Sequence, residues 1–78
     1  MKTVARFYHA GCPVCVSAEQ NVAESLDPNR FDLEIIHIGE DRSRVGEAES
    51  LGISSVPALV IGNDVYHINF GASIADLK

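Results

Sequence analysis

The residues of this chain with the greatest chemical capacity are two cysteines three positions apart, in the run Cys12-Pro13-Val14-Cys15, and the chain has no others. A thiol reacts as its thiolate, and an unperturbed thiol, with a pKa of about 8.5, is mostly protonated at neutral pH. Something must stabilise the anion. From Pro13 onward the apolar positions Cys15, Ala18, Val22 and Leu26 recur at three- and four-residue steps, while Glu19, Gln20 and Glu24 fall between them. That spacing predicts a helix with one face turned inward. Proline suits its first turn, where a missing N–H costs nothing. Cys12 then stands at the N-cap, where unpaired amides and the helix dipole favour negative charge, and is the expected nucleophile. Cys15 lies one turn further, on the packed face, and is expected to keep a higher pKa and act as the resolving thiol. Such a pair exchanges disulfides with protein disulfides, protein dithiols or small thiols, and needs no cofactor.

Two other readings of the same residues stay open. Free cysteines are often no more than small buried apolar side chains. They could also supply half of a tetrahedral zinc site, making the chain a metal carrier or a redox-sensing binding module. Against zinc, no second pair of this spacing exists, and His9, His37 and His67 form no ligand-spaced pair. A proline within the motif and a strand just before it suit the redox reading better.

The elements that must position the pair follow from the flanking pattern. Thr3 to Tyr8 is rich in β-branched and aromatic residues, and His9-Ala10-Gly11 breaks the run, so a strand leads directly into the first cysteine. Asp27-Pro28-Asn29 ends the helix, since a residue before proline is pushed away from helical angles. Phe31, Leu33 and Ile35 alternate with Asp32 and Glu34 before Ile36 and Ile38 continue to Gly39. This predicts a second strand, increasingly buried, and parallel to the first because a helix connects them. Asp41 or Ser43 is placed to cap a short second helix carrying Val45, Ala48 and Leu51 inward, with Gly52 as its left-handed stop. Ala58 to Ile61, the turn Gly62-Asn63, and Val65 to Ile68 form an antiparallel hairpin. Gly71 is expected to admit a last helix of about two turns, over 72–78. The order strand, helix, strand, helix, strand, strand, helix implies an α/β fold, with a four-stranded mixed sheet and helices on both faces. With 78 residues the chain makes a single domain with a thin core.

Composition narrows the partners. A net charge of −5 repels phosphate backbones and anionic headgroups, so neither nucleic acid nor a membrane surface is expected. The chain reaches its cysteine motif by residue 12, without space for a signal peptide of about 15–30 residues, and is expected to be cytoplasmic.

The run Tyr8 to Cys15 after a strand, and the later run Leu51-Gly52-Ile53-Ser54-Ser55-Val56-Pro57-Ala58-Leu59-Val60-Ile61, resemble the thioredoxin and glutaredoxin superfamily over nearly the whole chain. Phe70-Gly71-Ala72-Ser73 also looks like the family's approach to its last helix. The resemblance implies a thioredoxin fold and thiol-disulfide oxidoreductase activity. It implies a cis proline at Pro57 beside the dithiol, and a substrate-binding surface made by Val56 and Pro57 with Pro13 and Val14. The chain departs from thioredoxins in having Arg6 where a buried acid is common and Gly11 in place of a tryptophan. It departs from glutaredoxins at His9, Val14 and the lone Gly71. The pattern implies protein partners, with a thioredoxin reductase as reductant, over glutathione. His9 is read as a solvated turn residue, His37 and His67 as structural strand residues, and Glu40 to Arg44 as a solvated helix start. A short last helix would leave one sheet face poorly covered, which suits a homodimer.

Overall fold

Strand β1 (Thr3–His9) alternates in the way a strand between two layers must: Phe7 points to one side, Tyr8 to the other, and both are fully buried. A computed structural model describes residues 2–74, the side chains of 69, 70 and 72 excepted. After β1 come helix α1 (Pro13–Ser25), strand β2 (Phe31–His37), a 3-10 turn (Arg42–Arg44), helix α2 (Val45–Ser50), and strands β3 (Ser55–Ile61) and β4 (Asp64–Ser73).

The sheet has the order β2-β1-β3-β4. The crossover through α1 makes β1 and β2 parallel, from Thr3 opposite Phe31 to His9 opposite His37. Strand β3 runs antiparallel to β1 and to β4. Helix α1 covers one face with Ala18 and Val22 against Phe7, joined by Leu26, Leu33, Leu59 and Ile68. Helix α2 covers the other, where Val45 and Ala48 join Tyr8, Ile36, Val56, Ala58 and Val60. Each large side chain so enclosed contributes about 1.5–3 kcal/mol relative to exposure. Among the described residues no helix is long and apolar enough to cross a membrane.

Helix α1 stops where expected. Leu26 is its extended C-cap, and the Asp27 carboxylate accepts the Asn29 N–H at 2.9 Å, turning the chain toward β2. Helix α2 starts without the expected cap. Asp41 and Ser43 bond to each other, leaving Arg44 at the N-cap with no side-chain cap bond. Gly52, at φ +88°, ends α2 as a left-handed residue.

The end of the chain corrects the expectation of a helix from residue 72. Ala72 pairs with Val56 and Ser73 with Ser55, so both continue β4, and the Ile74 N–H bonds the Ser54 carbonyl at 3.0 Å. The cause lies in β3, which begins at Ser55 instead of Ala58 and so offers β4 further ladder partners. Pro57 is accommodated because the β3–β4 register shifts between Val56 and Ala58, a bulge where a missing N–H is tolerated. The rest of the expected helix, residues 75–78, lies outside the described residues.

Candidate active site

The first helical turn of α1 builds the dithiol. Cys12 takes an extended N-cap conformation, φ −70° and ψ 160°, with Pro13 following at the first helical position. Its carbonyl accepts the Val16 N–H at 2.9 Å, the first bond of the helix. Its sulfur accepts the Cys15 N–H at 3.1 Å, the capping bond that a serine or aspartate oxygen would make. Both cysteines are free thiols, Cys12 half-buried and Cys15 fully enclosed. Burial pushes the Cys15 thiol up from its ordinary value, opposed by a backbone hydrogen bond with Ala10.

Two segments distant in sequence close around the sulfurs. The Val56–Pro57 peptide bond is cis, and both side chains are fully buried. Gly71 in β4 lies so close that a Cβ there would collide with the Cys12 sulfur, 3.1 Å from the Cys15 sulfur and 3.0 Å from the Val56 carbonyl oxygen. Of the residues singled out in the sequence, Cys12, Cys15 and Val56 therefore converge at Gly71. Pro13 and Val14 turn outward, to a cleft of about 310 Å³ between α1 and β4 that Ser17, Ala18, Asn21 and Ile68 also line. Among the described residues no cluster of three or more His, Cys, Asp or Glu side chains is arranged to hold a metal.

His9 is the clearest departure from expectation. It is the last residue of β1, only 6% exposed, and not a solvated turn residue. Its Nδ1 accepts the Gly11 N–H at 3.3 Å, and its Nε2 lies 3.3 Å from Glu19 of α1. Its ring centroid is 4.4 Å from that of His37. Burial lowers the His9 pKa, and His37 adds to the effect, while Glu19 and Glu40 oppose it. His67 is exposed, and its Nε2 accepts the Ser54 N–H at 3.3 Å.

On the α2 face Arg6 is not a counterpart of a buried acid. It pairs with Glu34 at 3.5 Å, Glu34 with Arg44 at 3.3 Å, and Arg44 with Glu47 at 2.9 Å. The buried Tyr8 hydroxyl donates to Glu47. That bond, ahead of the Arg44 contacts, lowers the Glu47 pKa, while burial raises that of Tyr8. Sequence reasoning missed Gly71, the His9–His37 pair and the Tyr8–Glu47 bond. Strand parity was the signal available for the last, since it puts Arg6 and Tyr8 on one face.

Residues 4–69 match the model of the thioredoxin domain family. A solution NMR structure of a dimeric thioredoxin-like protein from Nitrosomonas europea is 58% identical, with a TM-score of 0.92, over 99% of this chain and 96% of that one. No curated protein matches the chain.

Proposed function

Since the chain belongs to the thioredoxin domain family, we propose that it is a thiol-disulfide oxidoreductase in which Cys12 is the nucleophile and Cys15 the resolving thiol. The observation that carries this reading is the N-cap geometry: the Cys12 sulfur accepts the Cys15 N–H at the helix mouth, with the Cys15 thiol enclosed behind it.

The reduced protein begins the cycle. The Cys12 thiolate attacks one sulfur of a target disulfide, forming a mixed disulfide and releasing the other target sulfur as a thiolate, which takes up a proton. Cys15 then loses its proton and attacks the Cys12 sulfur. The intramolecular bridge forms, the remaining target sulfur leaves as a thiol, and two electrons have passed from protein to target. Run in reverse, the steps oxidise a dithiol. The buried Cys15 is shielded during the first step, which keeps the two attacks in order. The main chain of Val56 at its cis bond to Pro57 is the floor beside the sulfurs along which an extended target lies, and Pro13 and Val14 form the outer rim. Protein disulfides are the favoured targets, and a thioredoxin reductase the favoured reductant.

Replacing the resolving thiol tests this directly. Cys15→Ser should accumulate a target joined to Cys12 by a reducible bond, and failure to trap any disulfide substrate would overturn the reading. Parallel reduction assays with glutathione and with a thioredoxin reductase separate the two electron sources.

We further infer that the chain pairs with a second copy of itself, as its relative of known structure is described as dimeric. Sedimentation should give twice the chain mass, and a monomer at high concentration would remove the inference.

A further inference from the structure

The parallel register of β1 and β2 sets His9 directly beside His37 at the end of the sheet from which the dithiol turn departs. Disulfide exchange as derived above uses neither ring. Both are nonetheless built into the two turns that leave these strands. The Nδ1 of His9 accepts the Gly11 N–H at 3.3 Å, and that of His37 accepts the Glu40 N–H at 3.1 Å. A nitrogen that accepts an N–H carries no proton, so the bond from Gly11 puts the hydrogen of the His9 ring on Nε2. The Nε2 of His9 faces Glu19 at 3.3 Å, and that of His37 faces Glu40 at 3.9 Å.

The turns close tightly over the rings. Gly11 has φ +83°, and a Cβ on it would lie 2.7 Å from the His37 Nε2. A Cβ on Gly39 would lie 2.7 Å from the Ala10 carbonyl oxygen and 2.9 Å from the His37 ring. The segment Ala10-Gly11 leading into Cys12 is thus seated on the two imidazoles, and its one bond to them is the bond to His9 Nδ1.

We propose that His9 is a positioning residue for Cys12, holding the Ala10–Gly11 turn through its unprotonated Nδ1, and that its protonation releases the turn and slows thiol chemistry. A proton on Nδ1 replaces an acceptor with a donor facing the Gly11 N–H, so the bond becomes a repulsion. The charged and titratable groups facing His9 are His37 from β2, Glu19 from α1, and Glu40 from the turn after β2. Enclosure and the neighbouring imidazole keep His9 neutral at pH 7, and the two carboxylates favour the proton once acid supplies it. The seating of the turn is independent of function, whereas its consequence for activity rests on the oxidoreductase reading.

Two measurements test the proposal. Imidazole 15N NMR of the unmodified protein at pH 7.5 should show His9 with an unprotonated Nδ1 and a protonated Nε2. The Gly11 amide should be protected from exchange there and lose protection as His9 titrates. The rate of Cys12 alkylation by iodoacetamide should fall in acid by about tenfold beyond the titration of one thiol, as expected for losing one hydrogen bond to a charged sulfur. His9→Asn offers an amide oxygen in place of Nδ1 without a titrating proton. It should keep the pH 7.5 rate and show a single thiol titration, while His9→Leu should be slow at every pH. His37→Asn removes the imidazole that disfavours a proton on His9 and should move the additional acid step to higher pH. A proton on Nδ1 at pH 7.5, or an unchanged two-step profile in His9→Asn, overturns the proposal. A Cys12 no more reactive than free cysteine at any pH would instead sink the oxidoreductase reading, with the NMR arm still deciding whether His9 holds the turn.

Discussion

Gly71→Ala places one methyl group where β4 presses on the dithiol. The added Cβ would collide with the Cys12 sulfur and stand 3.1 Å from the Cys15 sulfur and 3.0 Å from the Val56 carbonyl oxygen, against comfortable carbon contacts of about 3.5–4.0 Å. Cys15 is fully buried and the Val56 oxygen belongs to a paired strand, so neither yields easily. Relief must come from the β4 backbone or from rotation of the Cys12 side chain. Overpacking of this kind costs about 1–3 kcal/mol of stability. Rotating Cys12 away breaks its bond with the Cys15 N–H, and a hydrogen bond to a charged group is worth about 1.5–3 kcal/mol. At 1.36 kcal/mol per tenfold in rate, that is about 10- to 100-fold slower reaction at Cys12. Urea unfolding measures the first effect, and the rate of alkylation or of reduction of a small disulfide measures the second. A Gly71→Ala protein with unaltered stability and an unaltered Cys12 rate would refute the placement of β4 against the sulfurs.

The remaining predictions use the same reasoning elsewhere. Gly46→Ala in the first turn of α2, where a Cβ meets nothing within 4 Å, should raise stability by about 0.4–1 kcal/mol in urea unfolding, chiefly by reducing the freedom of the unfolded chain. Tyr8→Phe removes the bond to Glu47 and should cost about 1.5 kcal/mol. The same change should move the Glu47 titration, followed by carboxyl 13C NMR, up toward the ordinary carboxylate range. Stability should also fall in acid in two stages. His9 and Glu47 both have folded pKa values below their ordinary 6.5 and 4.5, so the unfolded chain binds more protons in each window. Stability from His9 is complete above about pH 6.5 and declines as pH drops through its lowered value, and that from Glu47 does the same below about pH 4.5. Urea midpoints measured from pH 8 to pH 3 should show both declines, and a flat profile would contradict them.

The elements that hold the dithiol were readable because their signals are local. Pro13 and the three- and four-residue apolar steps define α1 wherever it packs, and alternation at Phe7 and Tyr8 defines β1. The turn Gly62-Asn63, with Gly62 at φ +62°, likewise announces the β3–β4 hairpin. What could not be read depends on partners far away in sequence. Ala72 and Ser73 are extended because Val56 and Ser55 offer them a ladder, whereas a glycine followed by small residues suits a helix start equally well. His9 looks like a loop residue until β2 is laid beside β1 with His37 opposite it. Gly71 bears on the sulfurs only once β4 crosses the mouth of α1, and Asp41 and Ser43 fail as caps because each satisfies the other.

The most direct test is a thiol–disulfide titration of the purified protein, counting free thiols by alkylation and mass at each ratio of reduced to oxidised dithiothreitol. If Cys12 and Cys15 form a working pair, the protein passes in one two-electron step from two alkylated cysteines to none, with the bridge inside each single chain, no covalent link between chains, and the loss of two hydrogens. Thiols that both stay alkylatable across the range, or that oxidise only by linking one chain to another, would contradict the account.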